Sequence, residues 1–153
     1  MQYRETQISW LFISIMLAVV VLLYVAYAFQ WGDNPMPMEG LVPLVLINLG
    51  IGLLFYKMTT RIDGNQIRIS YGMGLVSISI DVHRLNRCEV MRTKWWWGIG
   101  IRFTPRGMLY NIHGLDAVAI NYYNGKRDKT VMVGSSQPEK LKAAIDAHFA
   151  KRA

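Results

Sequence analysis

Two long runs without a single charged residue fill the first third of the chain, and they constrain its fold more than any other feature. From Ile8 to Phe29 the sequence reads ISWLFISIMLAVVVLLYVAYAF, 22 residues; from Gly40 to Tyr56 it reads GLVPLVLINLGIGLLFY, 17 residues. A helix of about 20 apolar residues matches the hydrocarbon thickness of a bilayer, and ~17 is the short limit. The connecting QWGDNPMPME holds Gly32-Asp33-Asn34-Pro35 and then Pro37, which favour a turn and stop a continuous helix. The pattern predicts a transmembrane helical hairpin over residues 1–57, with helices at about 8–29 and 40–57. A cleaved secretory leader is the alternative for the first run, since Ala26-Tyr27-Ala28 has the small-x-small form. Two features oppose it. The apolar stretch exceeds the ~7–15 residues of a leader core, and Arg4 beside Glu5 makes no positive N-terminal region.

Charge separates this hairpin from the rest. Residues 1–57 hold two of the 17 Lys and Arg and three of the ten Asp and Glu, so the net charge of +7 comes from residues 58–153. The inter-helix loop has neither Lys nor Arg, whereas Arg4, Lys57 and Arg61 flank the outer ends. Basic residues stay on the cytoplasmic side, so both termini are expected there. Trp10, Trp31, Tyr3 and Tyr56 fall near the helix ends, where interfacial aromatics belong. Asn48, Gly50 and Gly52 are candidate helix–helix contacts: a polar group in hydrocarbon next to small residues invites close approach and a shared hydrogen bond. The partner of Asn48 is either Ser14 within the hairpin or a helix of a second copy.

From Met58 onward apolar and polar residues alternate with a period of two, which signals β-strands. TTRID and QIRISY flank Asp63-Gly64-Asn65; LVSISI and NRCEVMR follow; WWGIGIRF and GMLYNIH flank Thr104-Pro105-Arg106-Gly107; DAVAINYY and KTVMVG flank Asn124-Gly125. These make seven or eight short antiparallel strands. Ser136-Gln137-Pro138-Glu139 then opens a helix with Leu141, Ala144, Ile145, His148 and Phe149 on one face. The expected fold is a transmembrane hairpin followed by a mainly-β domain at 58–153, a barrel or sandwich of about seven strands closed by a C-terminal helix.

Three pieces carry a resemblance: WWGIGIR at 96–102, LYNIHG at 109–114, and NGKRDKTVMVGSSQPEKL at 124–141. With the preceding hairpin they resemble the bacterial PH-like (bPH type) membrane proteins, which have two transmembrane helices and then a pleckstrin-homology-like domain. The resemblance covers nearly the whole chain. It implies a bacterial inner-membrane location and a PH-like domain, and no reaction. One departure stands out. Lipid-reading PH domains usually crowd Lys and Arg around the first hairpin loop, and that loop here is Asp63-Gly64-Asn65.

No catalytic set is legible. There is no nucleophile-elbow motif, and Gly98-Ile99-Gly100 lacks the third glycine and the following helix of a dinucleotide loop. His83, His113 and His148 have no metal-ligand spacing. Cys88, the single cysteine, reads as a small core residue. No cofactor is expected, and no nucleic-acid motif occurs. Within KWWWGIGIR, alternation puts Trp97, Ile99, Ile101 and Phe103 on a core face and leaves Trp95 and Trp96 as contact residues at the strand's start. Trp95, Trp96, Arg102, Arg106, Lys126, Arg127 and Lys129 are the candidate residues for meeting a membrane or a partner. The tether to the first strand, near Thr59, is Lys57 and Met58 alone, spanning at most ~3.6 Å per residue. A domain held so closely needs no separate targeting device. The expected function is a non-enzymatic module mediating protein contacts, or self-association, at the inner-membrane surface; the alternative is a sensor of anionic lipid or envelope stress.

Overall fold

The computed structural model describes residues 3–34, 37–97 and 100–150. Two helices are long and apolar enough to cross a membrane: α1 (Trp10–Ala28) and α2 (Met38–Phe55). They pack as a hairpin and carry almost no buried side chains. Their surfaces are apolar all round, which is stable in lipid and not in water.

The mainly-β part contains two sheets. The first has the order β1 (Tyr3–Ile8), β2 (Lys57–Asp63), β3 (Gln66–Tyr71), β4 (Val76–Asp81). The second contains β5 (Arg84–Arg92), β6 (Gly100–Thr104), β7 (Gly107–Asn111), β8 (Asp116–Tyr123) and β9 (Asp128–Gly134), in the order β5-β8-β9-β7-β6. Helix α3 (Pro138–Ala150) closes the chain. Alternation explains the core. Ile67, Ile69 and Tyr71 of β3 point inward with Met58 and Ile62 of β2; Val118, Ile120 and Tyr122 of β8 meet them from the other sheet with Val131 and Val133 of β9. Leu141, Ile145 and Phe149 of α3 complete the cluster, as the helical spacing predicts. His148 sits at its border, with Nε2 2.7 Å from the Gly64 carbonyl.

Four features differ from expectation. The sheets do not close into a barrel: β4, at one edge of the first sheet, has no second neighbour. β7 and β9 run parallel, because β8 pairs with β5 and so brings β9 back beside β7 in the same direction. Residue alternation carries no information about strand direction. Strand β6 begins at Gly100, and Trp95–Trp97 form a 3₁₀ turn ahead of it. Finally, the six residues before the first helix form a strand, so the sheet includes a segment assigned to the hairpin. β1 pairs antiparallel with β2, Gln7 opposite Met58 and Ile8 opposite Lys57.

The last feature governs how helices and sheet join. Ser9 alone separates β1 from α1, and Tyr56 alone separates α2 from β2. The Ser9 N–H donates to the Tyr56 carbonyl (3.0 Å) while Ser9 Oγ accepts from Phe12 N–H at the helix start (3.3 Å). That is an N-cap, which satisfies one of the free donors of a first turn. The β3–β4 turn closes the other side: Gly72 N–H donates to the Lys57 carbonyl (2.8 Å). Phe12, Phe55 and Tyr71 form edge-to-face contacts at 6.4 and 5.7 Å that run from the helices into the sheet's core. The ladder thus passes into the helix pair without a linker.

Glu5 and Gln7 face inward from β1. The buried Glu5 carboxylate accepts from Ser135 Oγ (2.8 Å), Ser136 Oγ (2.9 Å), Ser136 N–H (3.0 Å) and Tyr3 OH (3.0 Å). Gln7 Nε2 donates to the Gly134 carbonyl (2.9 Å). The Gly-Ser-Ser of residues 134–136 therefore receives the N-terminal strand, and Ser135 Oγ also accepts from Gln137 N–H as α3 begins.

Candidate functional site

Register divides the domain into two ends. At the helix-bearing end lie Ser9, Tyr56, Gly72 and, through Gln7, the end of β9. At the far end lie the Gly64-Asn65 turn, His83 and the Asn124–Arg127 loop, since Asp63 pairs with Gln66, Gln66 with Asp81, and His83 N–H donates to the Tyr123 carbonyl (2.9 Å).

The far end contains the larger cleft, about 570 Å³, where the free edge of β4 faces the second sheet. Ile78, Met108, Tyr110 and Tyr122 contribute apolar and aromatic surface. Phe103 stands over it with 86% of its surface exposed, and Arg127 and Lys129 line it from the β8–β9 hairpin. That hairpin is shaped by Asn124, whose Oδ1 accepts the N–H groups of Lys126 (3.1 Å) and Arg127 (3.0 Å). Gly125 takes a positive φ of 87° there, close against the His83 ring.

The charges in the cleft are unequal in how they are satisfied. Asp81 accepts from Gln66 Nε2 (2.7 Å), and Asp128 from Asn86 Nδ2 (2.8 Å). Arg127 and Lys129 make no ion pair among the described residues, whose ion pairs are Arg87–Glu89 and Lys142–Asp146. Each acid is hydrogen-bonded by a neutral amide and keeps its charge, so two carboxylates and two cations share the cleft.

The predicted contact residues do not gather at one place. Lys126, Arg127 and Lys129 belong to the far-end hairpin. Arg106 lines a separate hollow of about 300 Å³ on the outer face of the second sheet, with Arg87 and Glu89. Arg102 lies exposed on β6, opposite Leu109. Trp95 and Trp96 are 75% and 60% exposed, as contact residues would be, but they sit at the other end of the domain. The core row drawn through the tryptophan stretch is overturned: Phe103 is the most exposed large apolar residue of β6, Ile101 is 37% exposed and Trp97 only half-buried. β6 is an edge strand, so neither of its faces is fully covered. Gly98 and Ile99 lie outside the described residues. Sequence reasoning missed Phe103 and Ile78 as cleft residues; alternation marked both as apolar and could not say that the sheets part there.

Between the helices a groove of about 330 Å³ is lined by Asn48 and Gly52 among apolar side chains. Asn48 Oδ1 is buried and accepts no hydrogen bond, so Ser14 is not its partner. A Cβ on Gly50 or Gly52 would meet nothing within 4 Å, so the glycines are not needed for packing within the hairpin.

Burial pushes the Cys88 thiol up to about 12, with the nearby Asp146 carboxylate adding to the rise. The buried hydroxyls of Tyr71, Tyr110 and Tyr122 are raised for the same first reason. The backbone N–H of His113 donates to Asn111 Oδ1 (3.2 Å), and Asn111 Nδ2 donates to the Gly114 carbonyl (3.0 Å), so LYNIHG closes a turn. Among the described residues no three His, Cys, Asp or Glu side chains group to hold a metal ion. Comparison with protein-family profiles, curated proteins and solved structures found no match for this chain.

Proposed function

We propose that this chain is a non-enzymatic, membrane-anchored module of the bacterial inner membrane, with both termini cytoplasmic, whose PH-like β domain binds a protein partner. The observation that carries the reading is the far-end cleft, with the free edge of β4 on one side and unpaired Arg127 and Lys129 on the other. An extended segment of the partner adds to the β4 edge through main-chain hydrogen bonds. Its apolar side chains enter between Ile78 and Phe103, and its carboxylates meet the two cations.

Topology supports the anchoring. β1 and β2 are hydrogen-bonded neighbours that precede α1 and follow α2. If both helices span, β1 and β2 lie on one side, and Arg4, Lys57 and Arg61 near the helix ends, with no Lys or Arg in the inter-helix loop, favour the cytoplasm as that side. Geometry weakens the lipid-sensing alternative for Lys126, Arg127 and Lys129. They lie at the opposite end of the sheet from the helices, a strand of seven residues away, or about 20 Å at ~3.3 Å per residue.

A photo-crosslinking amino acid at Phe103 or Ser79, with Arg87 on the outer face as control, tests the reading in intact membranes. A discrete protein adduct from the cleft positions is expected. It should be absent from the control and lost in the Arg127→Glu/Lys129→Glu variant. Equal adducts from all three positions, or adducts to lipid alone, reject it.

A further inference from the structure

We infer that the Trp95–Trp97 turn is a second membrane contact, inserting Trp95 and Trp96 into the headgroup layer of the bilayer that the helices cross. The inference concerns a surface distinct from the cleft and shares with the reading above only the premise that α1 and α2 span. The placement follows from a chain of contacts. Gln7 lies two residues before the helix cap Ser9 and bonds the Gly134 carbonyl at 2.9 Å. Ser135, next in sequence, donates its N–H to the Asp116 carbonyl at 3.1 Å. Asp116 pairs with Arg92 at the end of β5, and Thr93 Oγ1 anchors to the Leu115 carbonyl at 2.8 Å. Trp95 follows two residues later. The turn therefore leaves the domain at the helix-bearing end.

Its composition fits that position. Two large aromatics stand in edge-to-face contact at 5.7 Å with most of their surface uncovered. Exposed apolar surface of this size marks an interaction site. Lys94 Nζ lies 5.0 Å from the centre of the Trp96 ring, so a cation accompanies the aromatic pair, and Arg92 is exposed nearby. Tryptophan with its polar indole N–H prefers the membrane–water boundary, and a basic neighbour favours anionic headgroups. Trp10, in the first turn of α1, is 69% exposed and supplies the same residue type at the same end of the molecule. The occupant is therefore lipid, continuous with the surface around the helices. With the helices as one support and this turn as another, the domain is held against rotation and the cleft faces the cytoplasm.

The test uses the full chain in vesicles of phosphatidylglycerol and phosphatidylethanolamine, doped with lipid brominated near the headgroup. A Trp10→Phe/Trp31→Phe chain reports on residues 95–97 alone, and a further Trp95→Phe/Trp96→Phe change leaves Trp97. A chain retaining only Trp10 reports whether the helix is inserted. The expected result is strong bromolipid quenching of the first protein and of the Trp10 reporter, most of it lost when Trp95 and Trp96 become Phe. Quenching by aqueous iodide with none by bromolipid at residues 95–97, while Trp10 is quenched by lipid, overturns the inference. So does quenching that survives in the Trp97-only chain. Failure of Trp10 to report lipid removes the shared premise and the inference with it. Circular dichroism of each variant confirms that the β domain is folded, and Phe keeps the aromatic bulk.

Discussion

The two ends of the β domain are built on opposite terms. At the helix-bearing end hydrogen bonds tie helices, sheet and the α3 lead-in together: Ser9 caps α1, Gly72 and Tyr56 close the junction, and Glu5 collects donors from Tyr3, Ser135 and Ser136, while Gln7 Oε1 and Tyr71 OH are buried without a partner. At the far end the cations of Arg127 and Lys129 stand without ion pairs among the described residues, beside a free strand edge. One end joins the domain to its helices through hydrogen bonds; the other leaves two cations and a strand edge unengaged among the described residues. The difference separates residues that serve the fold from residues that remain available to something outside it.

Glycine substitutions break the comparison most sharply. Gly72 and Gly64 have nearly the same positive φ, 60° and 56°. A side chain at either carries the ~1–2 kcal/mol strain of the left-handed region. At Gly72 a Cβ would also collide with the Leu53 and Leu54 carbonyls at the end of α2, whereas at Gly64 it meets nothing within 4 Å. Gly72→Ala is expected to lower the thermal midpoint in detergent well beyond the drop seen for Gly64→Ala; equal drops would mean that the junction is not tight.

Next in size is Glu5→Ala, which leaves the Ser135 and Ser136 donors without their buried acceptor and is expected to cost about 2–3 kcal/mol. A double-mutant cycle with Ser135→Ala should show coupling of roughly 0.5–3 kcal/mol. Strict additivity in denaturant melts would dissociate β1 from α3.

Arg127→Glu/Lys129→Glu inverts the logic. Exposed far-end residues are expected to change stability by less than about 0.5 kcal/mol while abolishing the cleft adduct. A large stability loss would move them into the structural class.

The smallest effect concerns Cys88. Its thiol rises from 9.0 to about 12 on folding, so its contribution to stability is complete below pH 9 and is lost as pH rises through 12. Alkylation by iodoacetamide near neutrality should be far slower in the folded chain than in denaturant, because the thiolate is the reacting form. Equal rates would place Cys88 at the surface.

What the sequence made legible were the features that depend on local pattern. Uninterrupted apolar runs located both helices, alternation located β2 to β9, and the spacing of Leu141, Ile145 and Phe149 gave the buried face of α3. What it concealed depends on pairing. Tyr3–Ile8, six residues with Arg4, Glu5 and Gln7 among them, looks like a polar lead-in; it is a strand because β2 offers it an edge on the far side of the helical hairpin. The inner-facing positions of β1 are polar because their partners are the hydroxyls and carbonyl of Gly134–Ser136, not a hydrocarbon core. The cleft was hidden for a related reason. Lys126, Arg127 and Lys129 were visible as charge, but their distance from Trp95 and Trp96 follows from the order β5-β8-β9-β7-β6, which no local pattern encodes.

Strand β1 takes its side-chain partners from the end of the β domain, not from its neighbours in sequence. Glu5 and Gln7 find their partners at residues 134–136, about 130 positions later in synthesis. Two apolar helices and eight further strands intervene. Backbone pairing of β1 with β2 needs only the helical hairpin between them, whereas the side chains of Glu5 and Gln7 lack these partners until residues 134–136 are in place.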